Sequence, residues 1–406
     1  MYFPDMDSKE WFRRAVIYQV FIDRFNGVRK EKNSNEFLGG TLRGVAEKLD
    51  YLEDLGITVI WLSPFYESLS YHGYHITDFM KVDPHFGVLD DLKALIGEAK
   101  RRGMRVIADL VPNHCSVKHP FFRDAVNNRE SRYRDWFIFE QWPDRYLSFL
   151  DYKELPKINL DRPGAREYMI GVGEYWLSMG LDGFRLDHVI GPSHGFWKAF
   201  RNAVEKKFPE AVLIGEAWAS GLERRHFRTI RIRKKMLRRL FGISQEKIQM
   251  EYASELHGAL DFTLTGILRD AVSHGLDPLT DPAIRRRISL HLGKVPPGYM
   301  MVTFLDNHDM NRFIRYCNGD VQLLLRAFET LFSLDYPVVL YTGTENCIPN
   351  RDEVSISNPY SDLQVRAPVD WSKLNSEFLD GFRSMADKRK EGGGHGEGRG
   401  INYEGL

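Results

Sequence analysis

Short hydrophobic runs alternate with helix-like segments along most of this chain, and four of the runs end directly in acidic, histidine or arginine residues. The four segments read DLVPNH (109–114), GFRLDH (183–188), GEAW (215–218) and FLDNHD (304–309). Each follows an apolar stretch of strand length, as happens when a barrel strand delivers its last residues to one rim. We therefore expect the four groups of polar side chains to meet at a single site.

Eight strand-like runs can be counted from the hydrophobic pattern, with helical periodicity between them. After the first run, for example, apolar residues recur at helical spacing up to the stop signal Gly56. This alternation predicts parallel strands joined by crossover helices, and eight such units close a (β/α)8 TIM barrel. An open doubly wound sheet is the alternative, but no glycine-rich phosphate turn follows an early strand. The predicted strands cover residues 15–21, 57–64, 105–110, 182–186, 212–216, 259–264, 300–305 and 337–341.

Two interruptions divide the barrel pattern. After the third strand, residues 115–156 show no clean helix and are rich in aromatic residues and arginine, which predicts a small inserted subdomain. A second insertion, basic and predicted to be helical, covers about residues 219–257. The expected organisation is a first part of the barrel at 1–114, the subdomain at 115–156, the remainder of the barrel at 157–390 and a disordered glycine-rich tail at 391–406.

The charge balance disfavours a whole-molecule attraction to nucleic acid or to an anionic membrane. The 406 residues include 56 lysines and arginines against 56 aspartates and glutamates. Binding must then depend on a local surface, and an aromatic content of 13% suits stacking on flat apolar faces such as those of sugars. Three cysteines in no paired spacing, an acidic start and the lack of a long apolar run predict a cytoplasmic protein that does not enter a membrane.

The most basic stretch, residues 223–241, predicts an amphipathic helix. Phe227, Ile230, Leu237 and Phe241 can share one face, while arginines and lysines crowd the remainder. The main interpretation is a solvated face that nearby glutamates partly balance. A subunit contact or a polyanion site is the alternative, and only the polyanion site predicts binding that weakens steeply with salt.

Carboxylates at successive strand ends favour glycoside hydrolysis, which needs two carboxyl groups in different protonation states. Asp187 follows the fourth strand, and Arg185 should lie on the same face and keep Asp187 ionised, which suits a nucleophile. Glu216 follows the fifth strand, and Trp218 should lie near it if the strand continues. Apolar surroundings and neighbouring carboxylates would raise the pKa of Glu216, which suits a general acid. Asp309 adds a third carboxylate after the seventh strand.

In this order and on these strands, the four segments resemble the four sequence blocks of the α-amylase family of retaining α-glucan hydrolases and transferases. The resemblance covers about residues 15–390 and implies Asp187 as nucleophile, Glu216 as acid and base, and Asp309 as stabiliser of the transition state. The segment YHGYHITDF (71–79) is similar to the family's segment after strand two, which implies that Tyr74 stacks beneath the sugar. The candidate substrate-binding residues are Tyr74, Asp109, His114, Arg185, His188, Trp218 and His308.

The resemblance also bears on metal binding. Asn113 lies in the first block, where the asparagine of many family members supports the loop through calcium, so the resemblance implies a calcium ion at Asn113. Thr41 stands where many relatives have a calcium-binding aspartate, which argues against a metal at that second position. The other histidines have no zinc spacing.

Two further segments, LPKINLD (155–161) and FLGGTLRGVAEKLDYLEDLG (37–56), are similar to neopullulanases, cyclomaltodextrinases and maltogenic amylases. The implied activity is retaining hydrolysis of α-1,4-glucosidic bonds in maltodextrins, starch or cyclodextrins through a covalent glucosyl-enzyme. A 4-α-glucanotransferase, an α-1,6-acting enzyme and a non-catalytic glucan-binding protein are the alternatives. That group also carries an N-terminal β-domain and a C-terminal β-sandwich, for which we expect no room in this chain. The oligomeric state is left open.

Overall fold

Eight strands close into a barrel in the computed structural model, which describes residues 9–29, 34–220, 222–233, 242–355, 358 and 360–391. The barrel strands are β1 (Val16–Val20), β2 (Val59–Leu62), β5 (Arg105–Leu110), β8 (Gly183–Leu186), β9 (Val212–Gly215), β10 (Gly258–Leu260), β11 (Met300–Phe304) and β12 (Val338–Tyr341). Their spatial order is β1, β12, β11, β10, β9, β8, β5, β2, and neighbouring pairs such as β5 with β8 are parallel. The predicted TIM barrel is confirmed.

The barrel strands are almost entirely buried, as expected for parallel strands covered on both faces. The sixth predicted strand is too long at its end, because β10 stops at Leu260. Asp261 then caps a helix, its carboxylate accepting a hydrogen bond from the backbone N–H of Leu264 at 3.0 Å. The capping residue therefore decides where this strand gives way to a helix.

The helices between the strands account for the crossover connections. In chain order the described α-helices are α1 (Glu10–Arg13), α2 (Ile22–Phe25), α3 (Leu42–Ala46), α4 (Leu49–Asp54), α5 (Leu89–Arg101), α6 (Pro120–Asn127), α7 (Pro163–Ser178), α8 (His194–Lys207), α9 (Gln245–Met250), α10 (Phe262–Ser273), α11 (Pro282–Leu292), α12 (Phe313–Tyr316), α13 (Val321–Phe332) and α14 (Ser376–Glu391). Within the described residues, no helix is both long enough and apolar enough to cross a membrane.

The chain divides into two compact units. The first unit comprises residues 1–61, 94–106 and 260–406. Its helices α13 and α14 pack through aromatic rings, with the ring centroids of Phe328 and Phe382 5.3 Å apart. The second unit comprises residues 62–93 and 107–259. There the buried indole of Trp176 in α7 donates a hydrogen bond to the carbonyl of Phe79 at 2.8 Å.

The segment between β5 and α7 contains a helix that the sequence did not predict. Helix α6 begins with Pro120 after His119, whose ring nitrogen caps the N–H of Phe121 at 3.2 Å. The same segment holds a small antiparallel pair, β6 (Phe139–Gln141) and β7 (Arg145–Tyr146). It is tied back to the end of β5 by a bridge between His114 and Lys157. The division into a barrel and an inserted subdomain at 115–156 stays a prediction.

In its described part, residues 223–233, the basic segment does not form the amphipathic helix predicted for 223–241. A short 3-10 helix covers Arg224–Arg228, and the backbone up to Arg233 is not helical. The Arg228 guanidinium donates to Glu140 at 3.1 Å and to Asp151 at 2.6 Å, so contacts with the preceding segment hold this stretch. Residues 234–241 and the glycine-rich tail at 392–406 lie outside the described residues. In the described part of the insertion at 219–257, the α-helix is α9.

Two antiparallel strands, β3 (Tyr66–Ser68) and β4 (Ile76–Val82), follow β2 in the second unit. The turn between them contains Tyr74, one of the candidate site residues.

Candidate active site

Arg185 is the centre of a buried cluster of acidic residues in the second unit. Its side chain is 1% exposed, and Nη1 donates to Asp187 Oδ1 at 2.9 Å and to Asp109 Oδ2 at 3.2 Å. Nη2 donates to Glu216 Oε1. Asp109 lies opposite Arg185 in the register of β5 and β8, and Glu216 follows the last residue of β9. One guanidinium therefore binds carboxylates from the ends of three neighbouring strands.

The charge of Arg185 is stabilised by these partners. Burial by itself lowers the pKa of the guanidinium, since it removes water from the charged form. The nearby negative charges of Asp109, Glu216 and Asp187 outweigh burial, so the pKa of Arg185 is raised well above its usual range. The predicted contact between Arg185 and Asp187 is present, and Arg185 contacts Glu216 as well.

Tyr74 joins the same cluster through its hydroxyl. The phenol O–H donates to Asp109 Oδ2 at 2.5 Å, and Arg185 Nη1 lies 3.5 Å from the Tyr74 oxygen. The tyrosine ring is partly exposed, whereas Asp109 is fully buried. Asp109 thus links Tyr74 to Arg185, and we assign it the role of orienting both.

His114 and His188 both contact Phe149, an aromatic residue of the segment after β5. Phe149 stacks on His114 with ring centroids 4.7 Å apart and meets His188 edge to face at 4.8 Å. Burial is the main cause that lowers the pKa of His114 to about 3, and burial and the charge of Lys157 lower the pKa of His188 well below its usual range. Both imidazoles are therefore neutral at neutral pH. Phe149 was not singled out from the sequence, although the aromatic richness of its segment was a signal.

The backbone just after Asp187 is shaped to reach Glu216. His188 has φ of +44°, a left-handed conformation that is uncommon for residues other than glycine. Its N–H donates to Glu216 Oε2 at 3.2 Å. Both carboxylate oxygens of Glu216 therefore have donors, one from Arg185 and one from this turn.

Asp309 and His308 form a second group, in the first unit. Arg366 Nη2 donates to Asp309 Oδ1 at 2.5 Å, and His308 Nε2 lies 3.1 Å from Asp309 Oδ2. Gln19 Nε2 lies 3.0 Å from the other ring nitrogen of His308. The Asp309 side chain is 48% exposed, so a ligand can reach it. Sequence reasoning missed Arg366, which lies 57 residues along the chain from Asp309.

Trp218 does not lie on a continuing strand, because β9 ends at Gly215. The loop that follows is held by Gln245 of α9, whose Nε2 donates to the carbonyl of Ala217 at 2.8 Å and whose Oε1 accepts from Ala219 N–H at 2.9 Å. Strand alternation therefore cannot place Trp218 beside Glu216, and its contact with substrate stays a prediction. Gln245 had no signal in the sequence.

Asn113 does not fit the calcium ion that the family resemblance implies. Its Oδ1 accepts a hydrogen bond from Lys157 Nζ at 2.6 Å, and Lys157 is 3% exposed. Calcium binds oxygen ligands at roughly 2.3–2.6 Å, so the Asn113 oxygen already faces a cation at that distance. Among the residues that the structure describes, no group of three or more His, Cys, Asp or Glu side chains could hold a metal ion.

Comparisons with known proteins identify relatives of this chain. The chain is 35% identical over 394 residues to alpha-amylase 2 of Dictyoglomus thermophilum, covering 95% of this chain and 65% of that protein. It is 30% identical over 406 residues to an intracellular maltogenic amylase of Bacillus subtilis, covering 95% of this chain and 63% of that protein. The chain thus spans a little less than two thirds of the length of these curated relatives.

A solved structure and a family model also match this chain. The structure is a cyclic alpha-maltosyl-(1→6)-maltose hydrolase from Arthrobacter globiformis in complex with that sugar, with a TM-score of 0.80 and 27% identity over 94% of this chain and 84% of that one. The model of the alpha-amylase catalytic domain matches residues 19–389. This match covers most of the barrel, including all four polar segments. The chain therefore belongs to the α-amylase catalytic-domain family.

Proposed function

We propose that this chain is a retaining hydrolase of α-1,4-glucosidic bonds in maltodextrin-type substrates. The observation that carries the proposal is the binding of Asp187 and Glu216 to the two terminal nitrogens of Arg185. Two carboxylates on one guanidinium are close neighbours. This favours the separation of roughly 5–5.5 Å used in retaining enzymes over the roughly 6.5–9.5 Å that leaves room for a water in inverting enzymes.

In the first step, a carboxylate oxygen of Asp187 attacks the anomeric carbon while Glu216 gives its proton to the glycosidic oxygen. The bond between that oxygen and the anomeric carbon breaks, and the glucosyl group becomes bound to Asp187. In the second step, Glu216 takes a proton from water, the water oxygen bonds to the anomeric carbon, and Asp187 is released. Two inversions give a product of retained α configuration. We propose that Asp309 faces the same sugar and stabilises the transition state.

Glu216 must carry a proton for the first step. Without substrate it accepts hydrogen bonds from Arg185 and from His188 N–H, and both contacts favour its ionised form. A bound sugar that separates Glu216 from Arg185 and excludes water would favour the protonated form. We therefore propose that substrate binding sets the protonation state of Glu216.

The remaining context is part of the same proposal. The proposed substrate is an α-glucan, and we propose no role for nucleic acid or membrane. The cytoplasm is the proposed location, because the similar protein of Bacillus subtilis is named an intracellular enzyme. Action on α-1,6 bonds is the second candidate. It is supported by the names of similar proteins, among them a neopullulanase of Thermoactinomyces vulgaris. A 4-α-glucanotransferase would use the same glucosyl-enzyme with a sugar in place of water.

The test is an assay of purified protein on maltoheptaose, β-cyclodextrin and pullulan, with product anomers followed by proton NMR. We expect α-configured products at early times, and Asp187→Asn should lower kcat by at least about 10³-fold while leaving the unfolding transition in place. The control is Asp387→Asn, which changes an exposed residue on α14 and should keep full activity. Initial β-anomers, or an active Asp187→Asn protein, would contradict the proposal. Products longer than the substrate would indicate transfer.

A further inference from the structure

The side chain of Lys157 contacts Asn113, the residue at which the family resemblance implies calcium. Its ammonium nitrogen is 2.6 Å from Asn113 Oδ1, and both residues are buried, with 3% and 1% exposure. A lysine side chain is rarely buried to this extent, so this placement requires a reason. We propose that Lys157 is an internal cation that replaces a bound calcium ion, so that the loops around Asn113 hold their structure without metal.

The backbone on both sides of Lys157 fixes its position. Lys157 N–H donates to the carbonyl of Leu147 at 2.9 Å, and Ile158 N–H donates to the carbonyl of Asn113 at 2.9 Å. The residues therefore pair like neighbouring strands, and a bridge joins Lys157 to His114. This backbone pairing places the ammonium group of Lys157 at the Asn113 amide. The two segments are therefore held together without an ion.

Asn113 in turn contacts the turn that follows Asp187. A Cβ added to Gly191 would lie 2.0 Å from Asn113 Oδ1, which shows how closely this turn packs against the amide. Gly191 N–H donates to the carbonyl of His188 at 2.9 Å, and His188 N–H donates to Glu216. Contacts therefore run from Lys157 through Asn113 to the turn that positions His188. Lys157 acts on the site through these residues and is a positioning residue.

The ammonium group of Lys157 is already bound to the Asn113 oxygen. A calcium ion bound to Asn113 Oδ1 would have to share the oxygen with a second cation at close range. Since like charges repel strongly in a buried environment, the lysine and the metal are mutually exclusive occupants.

The experiment measures thermal unfolding of the full chain after metal removal, in excess EGTA and in excess CaCl2. For the wild-type protein we expect the same Tm in both buffers. Lys157→Ala removes the ammonium group and opens space beside the Asn113 oxygen. Its Tm in EGTA should fall, on the order of 5 °C, and CaCl2 should restore part of the loss because calcium can now enter.

Lys153→Ala is the matched control, since Lys153 is an exposed lysine of the same segment and its substitution should change neither Tm nor the calcium response. If Lys157→Ala does not fold, Lys157→Gln removes the charge at similar length and should show the same two effects. Two results would each overturn the proposal. One is a wild-type Tm that falls in EGTA and recovers in CaCl2. The other is a Lys157 variant whose Tm is unchanged, or whose loss calcium does not reduce. Neither outcome depends on the proposed hydrolase activity.

Discussion

Arg185 and Glu216 are bound to each other from neighbouring strands, β8 and β9, although 31 residues separate them in the chain. The guanidinium is almost fully buried, while the glutamate side chain keeps 13% exposure. The Glu216 carboxyl is therefore more accessible to a ligand than the Arg185 guanidinium. This relationship makes Arg185 the residue on which the geometry of the cluster most depends.

Replacement of Arg185 should separate its structural role from its catalytic one. Arg185→Met would leave buried carboxylates without their cation, and we expect the free energy of unfolding to fall by roughly 3–5 kcal/mol. Arg185→Lys restores a charge and should recover part of that stability, but a point charge cannot bind three carboxylates as the planar guanidinium does. We expect kcat/KM of Arg185→Lys to stay at least about 10²-fold below wild type. Urea unfolding and steady-state kinetics measure the two effects, and a fully active lysine variant would contradict this role.

Gly191 should not tolerate a side chain. A Cβ there would meet Asn113 Oδ1 at 2.0 Å and Asn113 Cγ at 2.6 Å, both far inside normal contact distance. We expect Gly191→Ala to lower the free energy of unfolding by about 1–3 kcal/mol because buried atoms must shift. Gly171 in α7 is the control, since a Cβ there meets nothing within 4 Å. Gly171→Ala should raise helix stability by roughly 0.5–1 kcal/mol. Urea unfolding measures the free energy of unfolding of both variants. A Gly191→Ala protein as stable as wild type would contradict the close packing of Gly191 against Asn113.

His194 at the start of α8 should make stability depend on pH. Its Nε2 lies 3.1 Å from Glu251 Oε1 and its Nδ1 lies 3.5 Å from Glu255 Oε1, while Arg233 donates to Glu255 at 2.8 Å. Burial by itself lowers the pKa of His194, but the hydrogen bonds and charges of the two glutamates raise it above its usual 6.5. For Glu255, burial raises the pKa, and the contacts with His194 and Arg233 bring it below 4.5.

The sign of the pH effect follows from these directions. A raised histidine pKa stabilises the fold fully below about pH 6.5, and this contribution is lost as the pH rises through the folded value. A lowered glutamate pKa stabilises above about pH 4.5 and is lost on acidification. Urea unfolding should therefore show a larger loss for His194→Gln at about pH 6 than at about pH 8.5. His274→Gln, at an exposed position, is the control. An equal loss for His194→Gln at both pH values would refute the prediction.

The barrel was predictable because its strands are buried on both faces. Such strands appear as continuous apolar runs, and all eight runs identified in the sequence correspond to barrel strands. The predicted boundaries were wrong where a local capping contact ends a strand or starts a helix. Asp261 ends the sixth strand by capping α10, and His119 with Pro120 starts α6 inside a segment whose aromatic residues obscured any helical pattern.

The candidate site was predictable where neighbouring strand ends supply it. Parallel strands end at the same edge of a sheet, so Arg185 comes together with Asp187, Asp109 and Glu216. This rule needs only the strand order. Lys157 was missed because its contact with Asn113 joins residues 44 apart through an irregular segment. Phe149 was missed for the same reason. The periodicity of the sequence does not predict which loop side chain contacts which strand end.

The cluster around Arg185 has more acids than bases. One guanidinium faces three carboxylates, so the group retains an excess of negative charge within a largely buried region of the second unit. Such a surplus is unfavourable while the site is empty. It is partly relieved when an electron-deficient carbon forms nearby, as in an oxocarbenium ion, so the same imbalance that strains the resting protein would lower the barrier to breaking a sugar bond.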